Sequence, residues 1–178
     1  MNLFKIDINE EILKDLKYRL GNTRWPDEIP GLEWQRGTNL DYLKELVEYW
    51  KNDFDWQKHE TALNQFDHFI TDIEGLKIHF IHQKSSHKDA IPIVLTHGWP
   101  GTFYEMHKII PLLTNPEING GNPTDSFDVI VPSLPGYGFS SKPTKHGINI
   151  RETAKMWDSL MTDTLEYKRY AAYGGDIG

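Results

Sequence analysis

The sequence predicts an α/β fold with a mostly parallel sheet, and three observations support that prediction. The run Ile91–Leu95 is short, apolar and β-branched, which is typical of a strand buried on both faces. A turn rich in glycine and proline follows at residues 97–101, and helical spacing of apolar residues extends from Phe103 to Leu113. A second strand, Arg169–Tyr173, leads directly into the glycine-rich residues 174–178. Strands that alternate with helices imply right-handed crossovers and parallel pairing.

The N-terminal third of the chain predicts helices that precede the sheet. Asn9 is placed to cap a helix over Glu10–Leu20, whose apolar residues recur on one face. A second amphipathic helix is expected from Thr38, and a short third helix follows Asp55. No helix here is apolar all round, so each is expected to lay one face on another element.

The remaining elements follow from alternation, capping and turn residues. Two alternating segments joined at Glu74-Gly75 predict an antiparallel hairpin, and Asn149 with Glu152 resembles the capping box of a helix that extends to Leu165. The hairpin strands are Phe66–Glu74 and Leu76–His82, and a later strand is expected at Phe127–Val131. Loops are expected at residues 115–126 and 132–143.

Composition excludes several classes of protein. The formal charge is −7 and no basic stripe occurs, which argues against nucleic-acid binding. The absence of cysteine excludes disulfides, thiolate metal sites and a cysteine nucleophile, and is expected for a cytoplasmic protein. From the first residues we expect neither a signal peptide nor a membrane anchor. We expect no metal, because no ligand motif occurs and His79 and His82 would face opposite sides of a strand.

Asp176 is the strongest candidate for chemistry. It occupies the centre of Gly-x-nucleophile-x-Gly after a strand, the nucleophile-elbow pattern, in which flanking glycines permit a sharp turn. A carboxylate is ionised at neutral pH and suits attack on a saturated carbon, such as that of an epoxide or a haloalkane. Water must then cleave the resulting ester, and that step requires an oxyanion hole. A simple turn that caps a following helix is the alternative interpretation of this pentapeptide.

His97-Gly98-Trp99-Pro100 is the expected other half of that hole. The backbone N–H of Trp99 can point at the same place as the N–H of Ile177. Pro100 has no N–H, so it can contribute only to the backbone geometry of the turn. His97 is expected to be a structural hydrogen-bonding residue, not the catalytic base. Ser133, Ser140 and Ser141 lie outside any elbow pattern, which disfavours a serine hydrolase.

These motifs occur in an order that resembles the microsomal-type epoxide hydrolases, including the juvenile hormone epoxide hydrolases. The residues that carry the resemblance span the chain. They are Asp15-Leu16-Lys17, Arg19-Leu20, Thr23-Arg24-Trp25-Pro26, Tyr49-Trp50, Phe54-Asp55-Trp56, Leu63-Asn64-Gln65-Phe66, Gly75-Leu76-Lys77-Ile78-His79-Phe80-Ile81-His82, His97-Gly98-Trp99-Pro100-Gly101, Pro132-Ser133-Leu134-Pro135-Gly136-Tyr137-Gly138-Phe139-Ser140 and Gly174-Gly175-Asp176. The resemblance implies an N-terminal meander at residues 1–66 and the first half of an α/β-hydrolase core at residues 67–178.

By this resemblance the chain opens an epoxide to a vicinal diol through an ester on Asp176, with the Trp99 and Ile177 amides as oxyanion donors. Trp99 and Pro100 would contact the substrate, water would be the co-substrate, and no cofactor is implied. The family's catalytic histidine, acid partner and lid tyrosines follow the nucleophile and have no counterpart in these 178 residues. The chain is therefore expected to be truncated and inactive alone.

Two further interpretations remain open. One is a haloalkane hydrolase, which Ile177 disfavours because haloalkane dehalogenases use a tryptophan indole N–H at this position to hold halide. The other is a catalytically inactive remnant that acts as a binding fragment.

Overall fold

The computed structural model describes all 178 residues, which divide into two compact units. One unit comprises residues 6–62, and the other comprises residues 1–5 together with residues 63–178. The boundary between meander and core that the sequence predicts at residues 66 and 67 stays a prediction.

The N-terminal helices begin at polar caps. Their bounds are α1 (Glu10–Gly21), α2 (Leu40–Asn52) and α3 (Trp56–Leu63). Asn9 and Asp55 cap α1 and α3 as expected, each accepting a hydrogen bond from a first-turn backbone N–H. The second helix starts later than predicted from Thr38, because the side chain of Asn39 accepts the backbone N–H of Tyr42 at 2.9 Å and so acts as the cap.

The sheet has six strands in the spatial order β1-β2-β3-β5-β4-β6. Their bounds are β1 (Asn2–Phe4), β2 (His68–Ile73), β3 (Leu76–Gln83), β4 (Ile91–Thr96), β5 (Phe127–Pro132) and β6 (Ala171–Gly174). The pairs β1-β2, β2-β3 and β3-β5 are antiparallel, and the pairs β5-β4 and β4-β6 are parallel. The sheet is thus mixed, with less parallel pairing than expected. The sequence pattern gave no indication of β1, and β3 lies antiparallel to β5.

The predicted hairpin is confirmed. Glu74 and Gly75, which join β2 to β3, have φ angles of 54° and 81°. Two successive left-handed residues form the turn whose twist matches that of the flanking strands. The Asp72 carboxylate accepts the Gly75 backbone N–H at 2.9 Å and further stabilises this turn.

The helix expected at Phe103–Leu113 is wrong in its extent. A 3₁₀ turn spans Phe103–Met106, and α4 begins only at Ile110 and ends at Thr114. Pro111 explains the interruption, because proline has no N–H and its ring clashes with the carbonyl four residues earlier in a continuous helix. Proline is tolerated in the first turn, which is where α4 has it.

The last helix, α5 (Ile150–Ser159), packs its apolar face on the sheet. Asn149 caps it by accepting the N–H groups of its first turn, as predicted, and a wider π turn continues over Leu160–Thr164. The main core lies between this segment and the sheet, and its buried residues are Ile73, Leu76, Ile78, Phe80, Val94, Ile130, Leu134, Met156, Trp157, Leu160 and Met161.

None of the helices has the length and apolar character needed to cross a membrane.

A directed chain of hydrogen bonds runs through the buried interior. The ring of His68 donates from Nε2 to the carbonyl oxygen of Leu63, which can only accept, so Nδ1 of His68 accepts from Nε2 of His79 at 2.9 Å. Nδ1 of His79 then accepts the hydroxyl proton of Ser133, also at 2.9 Å. Aromatic rings surround His79 with centroids 5.0 to 5.3 Å away, and they are Phe4, Phe103 and Phe139.

This chain of bonds predicts acid sensitivity. Burial, with a smaller contribution from neighbouring His68, lowers the pKa of His79 from 6.5 to about 3. Between those values the unfolded chain binds a proton that the folded chain does not, so stability is lost as the pH falls. The unfolding free energy should drop by up to about 1.4 kcal/mol per pH unit through His79.

Urea unfolding between pH 7 and pH 4.5 tests this expectation. The His79→Asn variant should show a flatter pH slope than the parent, whereas the His146→Asn variant, changed in an exposed loop, should keep the parental slope. Ring resonances of His79 in the parent should not titrate between pH 5 and 8. Titration near the ordinary histidine pKa would contradict the assignment.

Candidate active site

The two motifs singled out in the sequence meet at one edge of the sheet. Strands β4 and β6 are parallel neighbours, and their register pairs Thr96 with Gly174 at the carboxyl ends. The turn at residues 97–101 and the turn at residues 175–178 therefore leave the sheet side by side. This is the predicted arrangement, and the carboxyl edge of such a sheet is where α/β folds bind ligands.

Asp176 accepts hydrogen bonds from the backbone at this junction. Its Oδ1 atom lies 3.0 Å from the backbone nitrogen of Trp99. The N–H of Trp99 and, to a smaller extent, the N–H of Ile177 lower the pKa of the Asp176 carboxyl below its ordinary value. The carboxylate is fully exposed to solvent and ionised at neutral pH, so it needs no base to act as a nucleophile.

The turn that carries Asp176 is strained and tightly packed. Asp176 has a φ of 58°, in the left-handed region that non-glycine residues rarely adopt. The neighbouring turn approaches so closely that a Cβ atom added to Gly98 would lie 2.7 Å from the Asp176 Cβ and 3.0 Å from the Gly175 carbonyl oxygen. A hydrogen bond of 2.9 Å from the Gly178 N–H to the Gly175 carbonyl closes the turn. Strain held in this way by surrounding contacts is common at functional sites.

The remaining predicted site residues lie in the same two turns as Asp176. Trp99 is 67% exposed and Ile177 is 41% exposed, so both present apolar surface to solvent at this junction. Pro100, also exposed, follows Trp99 through a cis peptide bond. The site is an open surface with one oriented carboxylate and apolar flanks.

No histidine ring hydrogen-bonds to Asp176. His97, the histidine next to the oxyanion turn, is buried, with Nδ1 donating to the Gly98 carbonyl oxygen at 3.0 Å and Nε2 accepting the Leu134 N–H at 3.1 Å. Both ring nitrogens are occupied, which confirms that His97 is a structural hydrogen-bonding residue. Other ring nitrogens bind elsewhere, in His68, His79, His82, His87 and His107.

A serine–histidine pair is present but lies away from solvent. Ser133 and His79 are both fully buried, and the Ser133 hydroxyl donates to an imidazole that is itself bonded to His68. A nucleophile must reach its substrate, so this pair serves packing and hydrogen bonding. The expectation that Ser133 is not a catalytic serine agrees with this burial.

Sequence reasoning missed the partners of His97 and the need for glycine at position 98. The close approach of Gly98 to Asp176 joins residues that are far apart along the chain, and it depends on the register of two strands. The glycine-rich composition of the turn was the only indication of it in the sequence. The bond from Leu134 to His97 had no indication at all, because it starts from a backbone N–H.

Two models of known protein families match the chain. The family model described as the epoxide hydrolase N terminus matches residues 1–106. A second model, described as the alpha/beta hydrolase fold, matches residues 91–178. The two matches overlap at β4 and the turn that follows it.

Individual relatives that resemble the chain also have epoxide hydrolase names. A protein of Stigmatella aurantiaca named "Putative epoxide hydrolase" is 50% identical over 98% of this chain and 40% of its own length. "Epoxide hydrolase 1" of Sus scrofa is 42% identical over 98% of this chain and 39% of its own length. The chain thus spans about two fifths of the length of these curated relatives.

A solved structure also superposes on nearly the whole chain. The epoxide hydrolase of Aspergillus niger matches 99% of this chain and 46% of its own, with a TM-score of 0.86 and 38% sequence identity.

The close approach of Gly98 to the Asp176 turn gives a testable expectation. A Gly98→Ala substitution should lower the unfolding free energy by about 1–3 kcal/mol, because the added methyl group overlaps the Asp176 Cβ and the Gly175 carbonyl. It should also displace the Trp99 and Ile177 amide resonances.

The matched control is Gly175→Ala in the adjoining turn, where an added Cβ meets nothing within 4 Å. Urea denaturation and amide spectra of both variants measure the difference. Equal effects of the two substitutions would contradict the close approach of the two turns.

Proposed function

The chain belongs to the epoxide hydrolase family, and on that premise we propose that it contributes the nucleophile and the oxyanion hole for opening an epoxide to a vicinal diol. The observation that carries the proposal is the hydrogen bond from the Trp99 N–H to Asp176 Oδ1 at 3.0 Å. It holds a carboxylate that is ionised at neutral pH in one orientation at the carboxyl edge of the sheet. The flanking apolar surface of Trp99 and Ile177 suits a small apolar epoxide.

In the first step the second carboxylate oxygen of Asp176, Oδ2, attacks an epoxide carbon. A carbon–oxygen ester bond forms while the strained carbon–oxygen bond of the ring breaks, and the ring oxygen takes the electron pair and then a proton from an acid. The product is a hydroxyalkyl ester on Asp176. The bond from the Trp99 N–H to Oδ1 fixes the direction of the carboxylate, which keeps Oδ2 available for in-line attack.

In the second step water attacks the ester carbonyl carbon. The negative charge develops on Oδ1, the oxygen that accepts the Trp99 N–H, so the donor that holds the resting carboxylate also stabilises the tetrahedral intermediate. Collapse of the intermediate breaks the ester bond, releases the diol after proton transfer and restores Asp176. Donors aimed at this oxygen are worth about two to three decades of rate.

The hydrolysis step also needs a base to take a proton from water. No histidine ring of this chain hydrogen-bonds to Asp176, and both ring nitrogens of His97 are engaged with other groups. General acid–base help is worth about two to four decades for each proton transfer. We therefore propose that the 178-residue chain by itself forms the ester slowly and releases diol at a rate near background.

Two alternatives have less support. Haloalkane chemistry is disfavoured by Ile177, which offers no side-chain N–H to a leaving halide, and by the match of residues 1–106 to the epoxide hydrolase N terminus. A non-catalytic binding role is favoured by the missing base. It predicts that no adduct forms on Asp176.

Covalent labelling tests the proposal. The full chain is incubated with styrene oxide at pH 6, where Asp176 is ionised and the buffer supplies acid, and the adduct is located by peptide mass spectrometry. We expect one adduct on Asp176 and diol near background. In the Asp176→Asn variant labelling should be at least about a thousandfold slower, because a carboxamide is a poor nucleophile.

The control is Asp89→Asn, which changes an exposed aspartate and should label like the parent. Equal labelling of the parent and the Asp176→Asn variant, or adducts confined to other residues, would contradict the proposed nucleophile. Repeated turnover by the parent chain would instead contradict the absence of a base.

A further inference from the structure

The peptide group between Gly98 and Trp99 is bonded at both of its ends. Its N–H, on Trp99, donates to Asp176 Oδ1 at 3.0 Å. Its carbonyl, on Gly98, accepts the Nδ1 proton of His97 at 3.0 Å. A peptide group is planar, so fixing the direction of the carbonyl also fixes the direction of the N–H.

We propose that His97 is a positioning residue that orients and polarises the oxyanion donor through the Gly98 carbonyl. A donor on the carbonyl oxygen draws electron density through the amide and makes the N–H at the other end a stronger donor, as in any cooperative hydrogen-bond chain. The inference rests on the proposed function, because it assigns His97 to the same hole. His97 acts through the peptide and touches no reacting atom.

The tautomer that this role needs is fixed from the other side of the ring. The backbone N–H of Leu134 donates to Nε2 of His97 at 3.1 Å, so Nε2 must be the lone-pair nitrogen and Nδ1 must carry the proton. A ring with the opposite tautomer would lose both bonds. The ring is fully buried and lies against Tyr137 with a centroid distance of 5.5 Å, which limits its rotation.

Leu134 is itself held by the sheet. Its neighbour Ser133 donates its backbone N–H to the carbonyl of His79 at 2.8 Å, and the Ser133 hydroxyl donates to the His79 ring. The Ser133 carbonyl accepts the hydroxyl of Ser140 at 2.7 Å. A continuous set of bonds therefore leads from β3 through residues 133–134 and His97 to the Trp99 N–H.

Two substitutions at position 97 separate this role from simple packing. The terminal amide of glutamine reaches the position of Nε2 and can accept the Leu134 N–H, but it provides no donor at the position of Nδ1. The amide of asparagine overlies Nδ1 and can donate to the Gly98 carbonyl. Both variants lose the ring and its contact with Tyr137. The glutamine variant keeps only the bond from the Leu134 N–H, and the asparagine variant keeps only the bond to the Gly98 carbonyl.

The experiment measures the Trp99 amide in the isotope-labelled full chain. In His97→Gln its proton resonance should move upfield and its exchange with solvent should quicken about fivefold, since a weakened donor loses part of its bond to Asp176. In His97→Asn both should stay near the parental values. The surface variant His146→Gln should change neither.

Equal changes in the Gln and Asn variants would reduce His97 to a packing residue and overturn the proposal. If the variants do not fold, the His97 ring nitrogens of the parent still decide the question. Protonation at Nδ1 supports the proposal, and protonation at Nε2 contradicts it. No epoxide is used, so a failure to label Asp176 and a failure of the His97 assignment remain distinguishable.

Discussion

The site depends on the parallel pairing of β4 with β6. That register brings Thr96 beside Gly174, so the two following turns leave the sheet together and the Trp99 N–H meets Asp176 Oδ1 at 3.0 Å. Shifting either strand by one residue would reverse the direction of its side chains and carry the donor away from the carboxylate. The chemistry proposed for Asp176 requires this register, whatever substrate the site accepts.

Around this junction, glycine and backbone bonds offset local strain. Asp176 has a φ of 58°, which costs about 1 kcal/mol or more for a residue with a Cβ. Gly98 allows the opposing turn to approach within contact distance, and the hydrogen bonds accepted by the carboxylate favour the strained conformation. The backbone hydrogen bonds also lower the pKa of Asp176, so the orientation and the charge state of the nucleophile have one physical origin.

Much of this organisation was predictable from the sequence because its determinants are local. The caps at Asn9 and Asn149, the left-handed turn at Glu74-Gly75 and the elbow glycines all act within a few residues. Non-local features escaped prediction. β1 forms only because β2 offers it an edge, and the bond from the Leu134 backbone to His97 depends on tertiary placement that no side-chain pattern records. Pro111 is a local signal for the interruption, but the prediction followed the helical spacing of the apolar residues and did not use it.

Backbone donors of two adjacent turns hold Asp176 as an oriented carboxylate. A pH titration of the Asp176 side-chain carboxyl carbon by NMR, with the Trp99 amide proton followed in the same samples, tests this arrangement. We expect a pKa below the ordinary value of 3.8 and a Trp99 amide that shifts upfield as Asp176 becomes protonated. A pKa at or above 3.8, with a Trp99 amide that does not respond, would contradict it.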